Sequence, residues 1–148
     1  MIETEKFAER IISPAAESPQ EDAIERALDR TSIPKERARL LVLGAQTSVG
    51  KPEEQLRQLE AAYRLTPGDV GLIMTLEKNG MAEGRYAQAS WALTELFALA
   101  DTPDAKVVML LRHAELLEKH FVQRDIAAEK LEEVLRLKPG HPVALASL

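Results

Sequence analysis

Apolar residues recur along this chain at helical spacing, in stretches set apart by proline. Val107, Leu110, Leu111, Ala114, Leu117 and Phe121 step by three, one, three, three and four, and Tyr86, Ala89, Leu93, Leu96, Phe97 and Ala100 keep a similar rhythm. Such steps collect side chains on one face of a helix; a strand needs alternation with a period of two, which no stretch shows. The eight prolines (14, 19, 34, 52, 67, 103, 139 and 142) all fall between these stretches. A residue without an amide N–H is tolerated there, in the first helical turn or the loop before it. Start signals accompany several of them. Ser18-Pro19-Gln20-Glu21 reads as a capping box, and Thr66-Pro67-Gly68-Asp69 and Thr102-Pro103-Asp104 as further helix starts. The pattern predicts a short helix over 3–12, then helices over 19–31, 34–48, 53–65, 69–80, 84–100, 104–121 and 125–137, with a last one from 142 into the chain end. The short connections between them imply antiparallel hairpins.

The pattern repeats. Leu65-Thr66-Pro67-Gly68 and Leu137-Lys138-Pro139-Gly140 are near copies 72 residues apart, two units of about 36. The helices before them correspond as well: Leu59-Glu60-Ala61-Ala62-Tyr63-Arg64-Leu65 against Leu131-Glu132-Glu133-Val134-Leu135-Arg136-Leu137. Between them, Ala98-Leu99-Ala100-Asp101 closes an intermediate unit with Asp in the proline slot.

On these residues the chain resembles the tetratricopeptide repeat family, whose 34-residue unit is a pair of antiparallel helices. Counted back from the loops, Gly84, Tyr86, Ala89, Leu93 and Leu96 fall on the family's inter-helix glycine and on its small and apolar positions in the second helix. Ala127, Leu131, Val134 and Pro139 do so in the last unit, where Leu111 and Ala114 match the first helix, and Leu43-Gly44 copies the family's Leu-Gly pair. Departures are that Glu77 stands in a slot for a small residue, with Ile73, Leu76 and Gly80 around it, and that the family's first-helix aromatic is missing. The interval from Ala89 to Ala127 is 38, implying a longer turn around Lys119 to Asp125. The resemblance implies an all-α fold: a right-handed superhelical stack of antiparallel helical hairpins, an α-solenoid. It would comprise an N-terminal helical arm or cap over 1–32 and repeats over 33–148, divided near 33–67, 68–102 and 103–140 with a partial unit at 141–148. The residues from His141 to Leu148 then read either as a shortened solvating cap or as the first helix of a further repeat.

Composition narrows the chemistry. The 148 residues are 45% hydrophobic and 29% charged but only 4% aromatic, a globular, helix-favouring mixture. The net charge of −5 argues against a nucleic-acid binder. Residues 33–67 hold six Lys/Arg against four Asp/Glu, too slight an excess to track phosphates. With no cysteine, disulfides and thiolate chemistry are excluded. The N-terminus lacks signal-peptide order, and the longest apolar run, Leu40 to Ala45, is far too short to span a membrane. The expected location is cytoplasmic.

No catalytic constellation emerges. Val49-Gly50-Lys51 lacks the first glycine and the hydroxyl of a phosphate loop, having Ala45 and Pro52 there, so Gly50 is expected to end a helix. His113 and His120 are seven apart on one helix, whereas zinc ligation from one helix favours a spacing of four, so they are expected at the surface or half-buried. Adjacent carboxylates such as Glu53/Glu54 and Glu132/Glu133 point to different sides of a helix and are solvated. Neither a metal, a cofactor nor enzymatic activity is expected.

What the resemblance implies instead is a concave groove lined by the first helices of successive hairpins. Carried over by register, its lining is Ala38, Leu41, Ala45 and Ser48, then Gly71, Met74, Lys78 and Met81, then Met109, Arg112, Leu116 and Lys119. Family members that clamp a terminal carboxylate use Lys and Asn where this chain has Met74 and Lys78, so the clamp is not implied. Adaptable methionines suit an amphipathic helix or a mixed apolar–acidic segment of a partner protein or peptide. Trp91 falls on the outer side as a possible second contact. The expected role is a non-catalytic protein-interaction scaffold. The alternatives are an accessory segment of a larger enzyme or assembly, and a structural spacer that self-associates through its C-terminal half-repeat.

Overall fold

The computed structural model describes residues 19–148, and all regular structure among them is helical. The helix expected over 3–12 and the capping residue Ser18 lie outside the described residues. The helices are α1 (Pro19–Arg30), α2 (Pro34–Thr47), α3 (Pro52–Leu65), α4 (Val70–Ala82), α5 (Tyr86–Leu99), α6 (Pro103–Leu116), α7 (Arg124–Leu137) and α8 (Pro142–Ser147). Five of the eight begin on a proline, for the reason given above: its missing N–H belongs to a turn with no acceptor for it. Side chains serve other orphan donors. Asp69 accepts from the Leu72 N–H at 3.1 Å, and Thr102 Oγ1 from the Ala105 N–H at 3.1 Å. The expected bounds hold to within about two residues, except at the end of α6.

The helices form two compact units, divided between Leu65 and Thr66. In the first, α2 and α3 form an antiparallel hairpin around Ala38, Ala45, Leu59 and Ala62. Gly44 lets α3 come close: a Cβ there would meet Gln58 Nε2 at 2.9 Å. Ser48 Oγ bonds the Gly44 carbonyl at 2.9 Å and Gln58 Oε1 at 3.2 Å, and Gln55 Nε2 donates to the Ala45 carbonyl at 3.0 Å. Gly50 is not the residue that stops α2. It sits at φ 78° in the third position of the turn that Lys51 N–H closes onto the Ser48 carbonyl, where a positive φ is required. Helix α1 lies along α2 and buries Ile24. The Arg37 guanidinium donates to the Leu28 and Thr31 carbonyls at 2.7 and 3.0 Å, serving the open C-terminal end of α1.

In the second unit, α4 pairs with α5, α6 pairs with α7, and α6 also packs on α5. The α4–α5 hairpin is tightest at Gly80 and Ala89, the latter fully buried. Gln88 Nε2 crosses the pair to the Leu76 carbonyl at 2.7 Å. Between α6 and α7 the core is Val107, Leu110, Ala114, Leu117, Ala127, Leu131 and Val134, and α8 adds Ala144.

The longer turn expected around Lys119 to Asp125 takes an unusual form. The helix does not stop at Leu116 but widens into a π-helical turn over Leu117–Phe121. The chain then reverses at Val122, φ 53° and ψ 34°, with the Gln123 N–H returning to the Leu117 carbonyl at 3.1 Å. The extra residues are thus absorbed as a widened turn, so α7 still reaches its place in the core. A β-branched residue in the left-handed region is strained by about 1–2 kcal/mol, and Val122 is 72% exposed, so its side chain returns little packing. Val122→Gly is therefore expected to raise stability by up to about 1 kcal/mol, after allowing for the greater freedom of glycine in the unfolded chain. A urea midpoint that falls would show that the Val122 side chain makes contacts outweighing the strain.

Candidate functional site

The two units treat the expected groove residues differently. In the first unit, the face of α2 that the repeat register turns toward a partner is largely covered. Ala38, Ala45 and Ser48 are buried, and Leu41 is half-buried. Ala45 enters the hairpin core and cannot meet a partner. Leu41 lines a cavity of about 720 Å³ with Ile24 and Leu28 of α1 and with Gly44 and Ser48. Its rim carries both signs of charge, with Lys51 Nζ 3.6 Å from Glu21 and Arg57 2.6 Å from Glu54.

In the second unit the same register leaves α4 open. Met74 and Met81 are 36% and 41% exposed, Lys78 stands between them, and Val70 one turn earlier is 46% exposed. These positions step by four, four and three, forming one continuous stripe along α4. The residues carried over onto α6 and the turn after it divide. Met109 is half-buried and packs with Leu116 against Ala89 and Leu93, and Leu116 is buried, so neither is free for a partner. Arg112 and Lys119 are exposed, but each is held by a carboxylate. Lys119 pairs with Glu115 at 2.6 Å one turn away, a solvated pair of small energetic weight.

The pairing of Arg112 is of another kind. Its Nη2 lies 2.6 Å from Oε1 and 2.9 Å from Oε2 of Glu77, a carboxylate only 3% exposed. Glu77 occupies the slot where the repeat register asks for a small residue. Its neighbours on that face, Leu72, Ile73, Leu76 and Gly80, are all buried. A carboxylate placed there persists only with a cation brought to it, and α6 brings Arg112. The first helices of the two hairpins are thereby joined across 35 residues of chain. Sequence reasoning placed both residues but did not join them; the available signal was the acidic residue interrupting an apolar face.

The histidines are also placed by packing. His113 is buried, not at the surface, and its Nε2 lies 2.7 Å from Ser90 Oγ on α5. Burial, and secondly the Lys130 ammonium, hold its imidazole below the ordinary value of 6.5. His120 stacks on Tyr86 with ring centroids 3.7 Å apart. A serine hydroxyl on an imidazole is one part of a nucleophilic site, but such a site also needs free backbone N–H groups aimed at a developing oxyanion. Ser90 and His113 both lie inside helices, where the backbone N–H groups already bond along the helix. Trp91, the next residue on α5, is 37% exposed.

No protein-family model, no curated protein and no solved structure matches this chain. Among the described residues no helix is long and apolar enough to cross a membrane.

Proposed function

We propose that this chain is a non-catalytic interaction scaffold of the tetratricopeptide kind, whose hairpins stack as a right-handed superhelix and whose second unit holds an amphipathic partner segment along α4. The observation that carries this reading is the open stripe of Val70, Met74, Lys78 and Met81 on a helix whose opposite side is fully buried. Unbranched methionine side chains adapt to varied apolar surfaces, and Lys78 between them favours a segment carrying acidic residues beside its apolar ones. The hairpins, the buried alanines at Ala89 and Ala127, and the link from Glu77 to Arg112 are consistent with a repeat stack. Relative to the register alone, the proposed lining contracts to Met74, Lys78 and Met81, with Arg112 at its edge.

The chain has four methionines, so methyl-labelled methionine gives a small set of NMR signals. Titration with a synthetic acidic amphipathic helix is expected to shift Met74 and Met81 while Met109, half-buried against Ala89 and Leu93, moves little. Lys78→Glu is expected to weaken binding at least fivefold without altering the melting temperature. Binding that shifts neither exposed methionine, or that ignores Lys78→Glu, places the partner surface elsewhere.

A second reading, self-association, has an observation of its own. Helix α8 docks through Ala144 but leaves Val143, Leu145 and Leu148 more than half exposed. Light scattering across a concentration series separates the two: a mass that stays monomeric removes the self-association reading.

A further inference from the structure

Across the seam between α5 and α6, Ala89 and Leu93 pack with Met109 and Leu116, and three antiparallel polar and aromatic contacts run beside that packing. Lys106 Nζ sits 5.4 Å from the centre of the Phe97 ring, His113 meets Ser90, and His120 stacks on Tyr86. Two of the three depend on histidine, the side chain whose charge changes most readily near neutral pH. We propose that this seam is an acid-sensitive joint, in which protonation of buried His113 parts α5 from α6 while the hairpins on either side stay folded.

The geometry supplies the reason. From α5, the group facing the His113 imidazole is the neutral Ser90 hydroxyl; from α7, the Lys130 ammonium acts on it. On its own helix the adjacent charge is Arg112, which is engaged by Glu77 of α4. A neutral ring is served whichever tautomer it adopts, because the hydroxyl can both donate and accept. An imidazolium at the same place would be 7% exposed with the Lys130 ammonium acting on it. Opening the seam hydrates it and relieves the repulsion. His120, by contrast, is exposed.

The direction follows by linkage. Above pH 6.5 the ring is neutral in both the closed and the open joint, and the closed state has its full stability. As pH falls through 6.5 the hydrated ring of the open joint takes up a proton before the buried one does. The closed state then loses ground until the buried ring titrates too, and the loss levels off. One proton sets a ceiling of about tenfold in the opening equilibrium per pH unit.

The chain lacks cysteine, so Ala87→Cys on α5 and Glu118→Cys after α6, both exposed, can carry spin labels. At about pH 7.5 one narrow distance is expected. Towards about pH 5 a longer distance is expected to grow, within that tenfold ceiling, while far-ultraviolet circular dichroism keeps its helical intensity. His113→Gln, which still bonds Ser90 but takes no proton, is expected to abolish the growth, and His120→Gln to leave it. Lys130→Gln brings the buried ring closer to its ordinary value, so the growth is expected to be smaller and to level off at higher pH, and this decides the matter should His113→Gln fold poorly. The proposal is overturned if acid leaves the distance unchanged, if helicity is lost in step with it, or if the response survives His113→Gln or is indifferent to Lys130→Gln.

Discussion

Replacing Arg112 with alanine is expected to destabilise the protein by about 3 kcal/mol, although Arg112 is itself 41% exposed on its side chain. The cost falls on the partner left behind. Glu77 is 3% exposed, and among the described residues its cation is Arg112, so the variant leaves a carboxylate among Leu72, Ile73, Leu76 and Gly80 with neither water nor charge to meet it. The figure sits at the lower end of the usual cost of breaking a buried pair, because the exposed guanidinium is partly screened by solvent. Removing the other member has a different consequence. Glu77→Ala supplies the small residue that the repeat register asks for, and it leaves only a guanidinium that can turn into water. It is expected to cost less than about 1 kcal/mol, and the double variant Glu77→Ala with Arg112→Ala to recover most of what Arg112→Ala alone loses. Urea unfolding of the three variants measures this. Equal losses for the two single changes, or a double variant no better than Arg112→Ala, would show that the arginine acts through its own packing and not through Glu77.

Ala89→Leu is expected to cost about 3 kcal/mol, the upper end for adding side-chain volume to a full core. At this site neither helix can give way cheaply. Ala89 is fully buried, and across from it Gly80 is so close that even a Cβ would stand 2.9 Å from the Arg85 carbonyl oxygen and 3.0 Å from the Ala89 nitrogen. Those are backbone atoms, and the Arg85 N–H in turn bonds the Gly80 carbonyl at 2.7 Å, so relief means separating α4 from α5. A fall in melting temperature of about 10 °C is expected. Gly80→Ala is expected to act in the same direction through the same contact. Ala87→Leu, on the exposed side of α5, serves as the control and is expected to change stability by less than about 0.5 kcal/mol. If calorimetry finds Ala89→Leu and Ala87→Leu melting together, the close approach of α4 and α5 is not what secures this hairpin.

How far the architecture could be read in advance varied with the kind of information involved. Apolar steps of three and four, with proline at their borders, placed the helices because those features act through local backbone geometry. The alanine at 89 was legible for a related reason: a residue without bulk, in the middle of an apolar face, marks where another helix comes near, whereas Gly80 stood out only as a departure from the repeat. The widened turn at Leu117–Phe121 was legible only as surplus length, since nothing local distinguishes a loop from a π-helical turn closed by a bond from Gln123 to Leu117. Of the residues that the register assigns to a groove, Met74, Lys78 and Met81 are exposed on α4 while Ala45 and Leu116 are buried, because exposure depends on what other helices cover: α2 has α3 and α1 against it, and Leu116 packs with Met109 against α5.

By itself, then, the sequence determined where helices begin and end, which of their faces are apolar, and where two of them can approach closely. These are consequences of backbone sterics and side-chain volume within a few residues of one another. The tertiary structure alone decided which charges are paired and which side chains remain open: that Glu77 is joined to Arg112, that His113 lies buried against Ser90, and that α4 keeps an uncovered stripe. Burial and electrostatic partnership act through space and depend on the dielectric surroundings that distant segments create, so they exist only once those segments have packed.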